Sequence, residues 1–194
     1  RMKEDWKDVE FPQPVGNDKL DKKKLNEIRQ NFAAMLENID RNIALIIDEV
    51  AKRGELENTI IIYTADHGDM LGDKNLFGKS LPYHGSVSIP LVVCGMNVKK
   101  GIISKQMVEL QDLASTIVDF CGEKMIEAKD SISLVPILTQ DYDKNIREFQ
   151  SSGLNDWKMV TDGKVKTINS SHPAFYMFEP LTGKNESELR RHSL

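Results

Sequence analysis

Apolar positions follow two different rhythms along this chain. From Asn17 or Asp18, either of which can cap a helix, Leu20, Leu25, Ile28, Phe32, Met35, Leu36, Ile39, Ile43, Ile46, Ile47 and Val50 recur at three- and four-residue steps. That spacing makes one apolar stripe and predicts a long amphipathic helix, stopped by Gly54. Such a helix is on the order of 50 Å long, enough to cross a domain. A coiled-coil arm is the rival reading; the apolar run that follows at once favours helix-on-sheet packing. In that run, Thr59–Thr64, the rhythm changes to β-branched residues without alternation. It predicts a strand buried on both faces, as in a parallel sheet. Ile89–Gly95 predicts a second buried strand.

Further on, Ser104–Leu110 reads as a short strand, and Asp112–Cys121 as a helix with Leu113, Ile117, Val118 and Phe120 inward and Gly122 as its stop. Leu134–Leu138 predicts a short helical turn against the core. The pattern then turns antiparallel. Arg147–Ser151 reads as a strand, Trp157–Thr161 and Lys164–Ile168 flank the hairpin signal Asp162-Gly163, and Ala174–Phe178 adds another strand. A short helix is expected near Glu186–Arg191, and Arg1–Gly16, broken by Pro12 and Pro14, reads as an extended lead-in. The expected fold class is α/β, a sheet flanked by helices over residues 1–146, with a small antiparallel subdomain over residues 147–194.

Chemistry concentrates between the first two strands. Asp66, His67 and Asp69 surround Gly68 just past the first strand, where ligands of open α/β sheets sit. Two readings of the pair are equally good. Asp66 and His67 supply a hard oxygen and a nitrogen donor for a divalent ion; equally, Asp66 caps a helix starting at His67, which is then merely exposed. Lys79 alone is a weak signal, since most lysines only solvate a surface. Asp69 and Asp73 suit a supporting role, with loop bracing at least as good a reading. His172 and His192 read as surface residues.

Composition narrows the partners. A formal net charge of −4 argues against a nucleic-acid or anionic-membrane partner, while leaving room for a local cation cluster that binds an anionic substrate. No apolar run approaches the ~20 residues of a membrane span. The opening residues Arg1–Trp6 lack the apolar segment of a signal peptide. Cys94 and Cys121 have no metal spacing and read as buried free thiols.

Taken whole, Asn58–Met96 is more specific than its parts. The strand is followed by Thr64-Ala65-Asp66-His67-Gly68-Asp69-Met70-Leu71-Gly72, then Leu76-Phe77-Gly78-Lys79, then Pro82-Tyr83-His84-Gly85-Ser86, then a strand entered through Ile89-Pro90-Leu91. This succession resembles the second signature region of the sulfatases, in the alkaline-phosphatase-like superfamily. The resemblance implies that Asp66 and His67 bind a divalent cation, calcium before magnesium, manganese or zinc, and that Lys79 contacts the sulfate. His84 is then a proton donor or substrate contact, with a structural role equally good. Members commonly carry Glu and Arg where this chain has His84 and Ser88, and often His in place of Lys74.

Sulfatases take their formylglycine nucleophile from a C/S-x-P-x-R motif, and that motif is absent here; Ser80-Leu81-Pro82-Tyr83-His84 ends in His. The resemblance therefore implies the C-terminal portion of a sulfuric ester hydrolase, inactive alone, whose uncovered sheet edge invites self-association. The expected substrate is a sulfated small molecule or carbohydrate; the compartment is left open, with a periplasmic or secreted setting of the whole enzyme one option. A phosphodiesterase or phosphonate monoester hydrolase of the same superfamily is one rival. A catalytically inactive binding module derived from a sulfatase is another.

Overall fold

The computed structural model describes residues 21–73, 76–127, 129–142, 144–170, 176–178 and 190–191. The chain divides into two units. In one, residues 21–54 and the loop 67–89 fold together; in the other, residues 55–66 join those from 90 onward.

The first unit is built on α1 (Lys22–Lys52), 31 residues and so about 46 Å long. Its cap is Asp21, whose carboxylate accepts from Lys23 N at 3.1 Å; the expected start at Asn17 or Asp18 lies outside the described residues. Gly54 ends it in the left-handed region (φ +72), donating to Ala51 O at 2.9 Å. No α1 residue is fully buried, and Met35, Leu36, Ile39, Leu45 and Ile46 are exposed. Arg29 ties the helix to the loop, its Nε donating to Leu71 O and its Nη2 to Asp73 Oδ1, each at 3.0 Å. Among the described residues of the loop, Met70, Leu76 and Ser86 are buried.

In the second unit, β1 (Ile60–Thr64) and β2 (Leu91–Gly95) pair in register from Ile60↔Gly95 to Thr64↔Leu91. The pairing is antiparallel, and neither strand is buried on both faces, contrary to the apolar runs: Tyr63, Val92 and Cys94 are exposed. A continuous apolar run records how a strand is covered in a complete sheet, whereas the described residues supply only two strands here. Gly95 is needed for close approach, because a Cβ there would lie 2.0 Å from Thr59 O.

Ser104–Glu109 forms no strand. The two helices beyond it, α3 (Asp112–Phe120) and α4 (Val135–Thr139), lie where the pattern put them. The buried face of α3, however, is polar: Asp112, Ser115 and Thr116 are buried, while Ile117 is 51% exposed. Hydrogen bonds explain the inversion. Thr116 Oγ1 donates to Asp112 O (2.6 Å) and accepts from Leu134 N (2.9 Å), and Asp112 Oδ1 accepts from Ile132 N (2.9 Å) and from Arg147 Nη2. Arg147 Nη1 also pairs with Glu109 Oε2 at 3.2 Å. These bonds offset the burial of the polar groups, with Arg147 Nε alone among the described residues buried without a partner.

A five-stranded antiparallel sheet follows, in the order β3 (Gln150–Leu154), β4 (Trp157–Thr161), β5 (Lys166–Ser170), β6 (Tyr176–Phe178), β7 (Arg190–Arg191). β4 alternates strictly, with Trp157, Met159 and Thr161 inward, and Ile168 of β5 joins them. The Asp162-Gly163 turn is wider than a two-residue hairpin. The Asp162 carboxylate accepts from Lys164 N (2.8 Å) and Val165 N (2.7 Å), so residues 162–165 form the loop. Arg190–Arg191 is strand where a helix was expected; the rest of that predicted helix, the residues before Tyr176, His172 and His192 lie outside the described residues. Both cysteines are free and exposed rather than buried, one on the uncovered side of β2 and one at the end of α3. Among the described residues no helix is long and apolar enough to cross a membrane.

Two outcomes follow from these contacts. Arg147→Ala should destabilise the chain by about 3–5 kcal/mol in chemical denaturation, because it strands the buried Asp112 carboxylate; a change under about 1 kcal/mol would mean the cluster is not closed in solution. The Asp162 carboxyl is held below its ordinary value of 3.8 by hydrogen bonds from Val165 N and then Lys164 N. A depressed carboxylate pKa stabilises the fold above the unfolded value, and the contribution is lost as pH falls through the folded one. An NMR titration should find Asp162 below 3.8; a value at or above it would refute the turn.

Candidate metal and anion site

The loop between β1 and β2 is held by main-chain hydrogen bonds. Gly68 N donates to Ser86 O, Met70 N to Gly78 O and Gly72 N to Leu76 O, each at 2.8 Å. Asp69 Oδ1 accepts from Leu71 N (2.8 Å) and Gly78 N (3.2 Å), which makes Asp69 the brace that joins the His67 segment to the Lys79 segment. On the other side the backbones touch: a Cβ on Gly68 would lie 2.0 Å from Gly85 O. Only glycine at 68 allows that approach. The short helix α2 (His84–Val87) is thereby held beside His67, with Ser86 buried in the join.

His67 and Lys79, twelve residues apart, meet through their side chains. Lys79 Nζ lies 2.7 Å from His67 Nε2, and His67 Nδ1 lies 2.8 Å from Gly68 O. An ammonium group only donates, and a carbonyl oxygen only accepts. Both contacts therefore require the proton on Nδ1, donated to Gly68 O, and a bare lone pair on Nε2. This is the tautomer a metal-binding imidazole needs.

Asp66 lies in a bend two residues past β1 and is exposed, as are His67 and Lys79. No helix starts at His67, so Asp66 is not a helix cap. His84 opens α2, exposed, its carbonyl accepting from Ser88 N at 2.9 Å. Asp73 is engaged by Arg29 at 3.0 Å. Among the described residues, no three His, Cys, Asp or Glu side chains converge as a metal cluster. By donor chemistry alone, Asp66 and His67 offer an oxygen and a nitrogen of the kind divalent ions take, two groups where such an ion needs more. A cleft of about 320 Å³ lies elsewhere, lined among others by Lys99, Gln106, Gln140, Asp141 and Tyr142. No sequence motif marked it, and it contains none of the four predicted site residues.

The described elements are those of the alkaline-phosphatase-like α/β fold, with candidate ligands just past a strand end. The sulfatase family model matches residues 4–123, and the chain belongs to that family. It is 29% identical over 146 residues to the arylsulfatase of Clostridium perfringens, covering 70% of this chain and 30% of that protein. It also resembles the solved structure of BT4656 in complex with its substrate D-glucosamine-2-N,6-O-disulfate (TM-score 0.70, 25% identity, 74% of this chain and 32% of that one). The phosphonate monoester hydrolase of Silicibacter pomeroyi is as similar (TM-score 0.70, 26% identity, 76% and 33%). The chain thus spans about a third of the length of these relatives. Family membership implies a divalent cation in general.

Gly68→Ala tests the frame. Its methyl group meets a carbonyl that cannot move without the Gly68–Ser86 hydrogen bond, so a loss of about 3 kcal/mol or more is expected in denaturation. The His67 ring resonances should shift with it. An unperturbed His67 spectrum with wild-type stability would show that the two backbones are not in contact.

Proposed function

We propose that this chain supplies the cation- and anion-binding portion of a sulfuric ester hydrolase acting on a sulfated carbohydrate or other sulfated small molecule. The observation that carries the reading is the His67–Lys79 contact: a ligand-ready imidazole and a cationic side chain at one point of the loop. Asp66 and His67 would hold the cation, calcium by preference given the oxygen-rich completion such a site needs. Bound there, the cation supplies Lewis-acid polarisation. Lys79 places its ammonium on the sulfate oxygens and offsets charge developing on the departing oxygen, which is electrostatic stabilisation of the transition state. His84 stands on the first turn of α2 as proton donor or substrate contact.

These 194 residues contain no C/S-x-P-x-R motif, so this reading takes the nucleophile from another part of the enzyme. Residues 1–146 belong to the catalytic domain in this reading, and residues 147–194 form a subdomain anchored on it through Arg147. Hydrolysis of phosphonate monoesters is the second reading, favoured by the likeness to the S. pomeroyi enzyme. An inactive binding module is the third, and the site variants decide against or for it.

The test is made in the enzyme that joins these residues to the nucleophile segment. Lys79→Ala should lower kcat/KM for an aryl sulfate roughly a hundredfold, the scale of removing one oxyanion donor, with cation content unchanged. Asp66→Ala should lose both activity and the bound cation, measured by elemental analysis. Near-normal turnover by Lys79→Ala would refute the sulfate contact, and stoichiometric zinc without calcium would move the assignment to the phosphonate side.

A further inference from the structure

The lone pair that makes His67 a ligand is already taken. Nδ1–H is fixed on Gly68 O (2.8 Å), so the ring cannot turn to offer its other nitrogen without breaking that bond, and Nε2 accepts from Lys79 Nζ at 2.7 Å. One sp² lone pair serves one partner at a time. We propose that Lys79 is a built-in occupant of the His67 Nε2 lone pair, displaced when a divalent cation binds and thereby released toward the anion. The inference rests on the reading of His67 as a ligand but adds a regulation of that site: cation entry and anion capture are coupled through one side chain.

The coupling has a definite sign. A cation on Nε2 costs the Lys79–His67 hydrogen bond, worth about 0.7–1.4 kcal/mol net, or roughly three- to tenfold in cation affinity. An anion that takes the ammonium removes that cost, so each ligand raises affinity for the other by the same factor. Both side chains are exposed and Lys79 is a flexible four-carbon arm, so the exchange needs no backbone movement. Asp69, which braces both segments, keeps the Lys79 backbone in place while its side chain leaves.

The experiment uses the enzyme that joins these residues to the nucleophile segment, labelled with nitrogen-15 in histidine, and manganese(II) as the cation. Long-range proton–nitrogen spectra should show the His67 Nε2 resonance of a hydrogen-bonded lone pair, moving to that of a free one in Lys79→Met. The manganese concentration that half-broadens the His67 ring protons should fall roughly three- to tenfold in Lys79→Met. That gain should persist at about 1 M potassium chloride, where the screening length is ~3 Å and removal of a distant charge no longer matters. Lys79→Ala should behave as Lys79→Met does and serves if the latter does not fold. An unchanged Nε2 resonance, an unchanged half-broadening point, or a gain abolished by salt would each overturn the occupant role. If manganese broadens His67 in no protein, wild-type or variant, the ligand reading itself fails and takes this inference with it.

Discussion

The site depends on two backbones that lie too close for any side chain between them. Gly68 lies against Gly85, with a hydrogen bond to Ser86 beside the contact, and Met70 is bonded to Gly78 on the other flank. These constraints, with Met70 and Leu76 buried between them, close a long loop. They hold the segments bearing His67, Lys79 and His84 in one unit, so that residues from three stretches of the loop become neighbours. Asp69 adds the cross-brace. With the main chain fixed, the side chains that do chemistry are free to be exposed and to exchange partners.

The second unit is held differently. One of its inner clusters is ionic, with Arg147 between Glu109 and the buried Asp112 and with Thr116 and Ser115 beside them. The apolar side of α3 is correspondingly open at Ile117, as are Val92 and Cys94 on β2. Exposed apolar residues on α1 show the same imbalance in the first unit. The chain spans about a third of the length of the relatives it matches.

Much of the fold was legible because local periodicity selects helix or strand. The α1 stripe, the β1 and β2 runs, α3, α4 and the β4–β5 hairpin follow from spacing and from Gly or Asp punctuation. The misreadings share a cause. Ile117 was expected inward and both thiols buried, because apolar character was equated with coverage; whether a partner surface lies over a residue is not a property of that residue. The polar inner face of α3 could not be anticipated, since Asp112 is buried only because Arg147, thirty-five positions away, closes on it.

For the site, the residue types and their order were written in the chain: a strand, then Asp66-His67-Gly68, then Lys79, then His84 within a glycine-spaced run. Those choices determine which donors are available and that the backbone can turn tightly around them. Spacing left open whether Asp66 caps a helix, because capping depends on the backbone that follows; the folded loop has no helix there. Nor could it say which nitrogen of His67 carries the proton or that Lys79 would reach the other. Those facts come from Gly68 O and Lys79 Nζ arriving at opposite ends of one ring, an arrangement made only when the loop closes on itself.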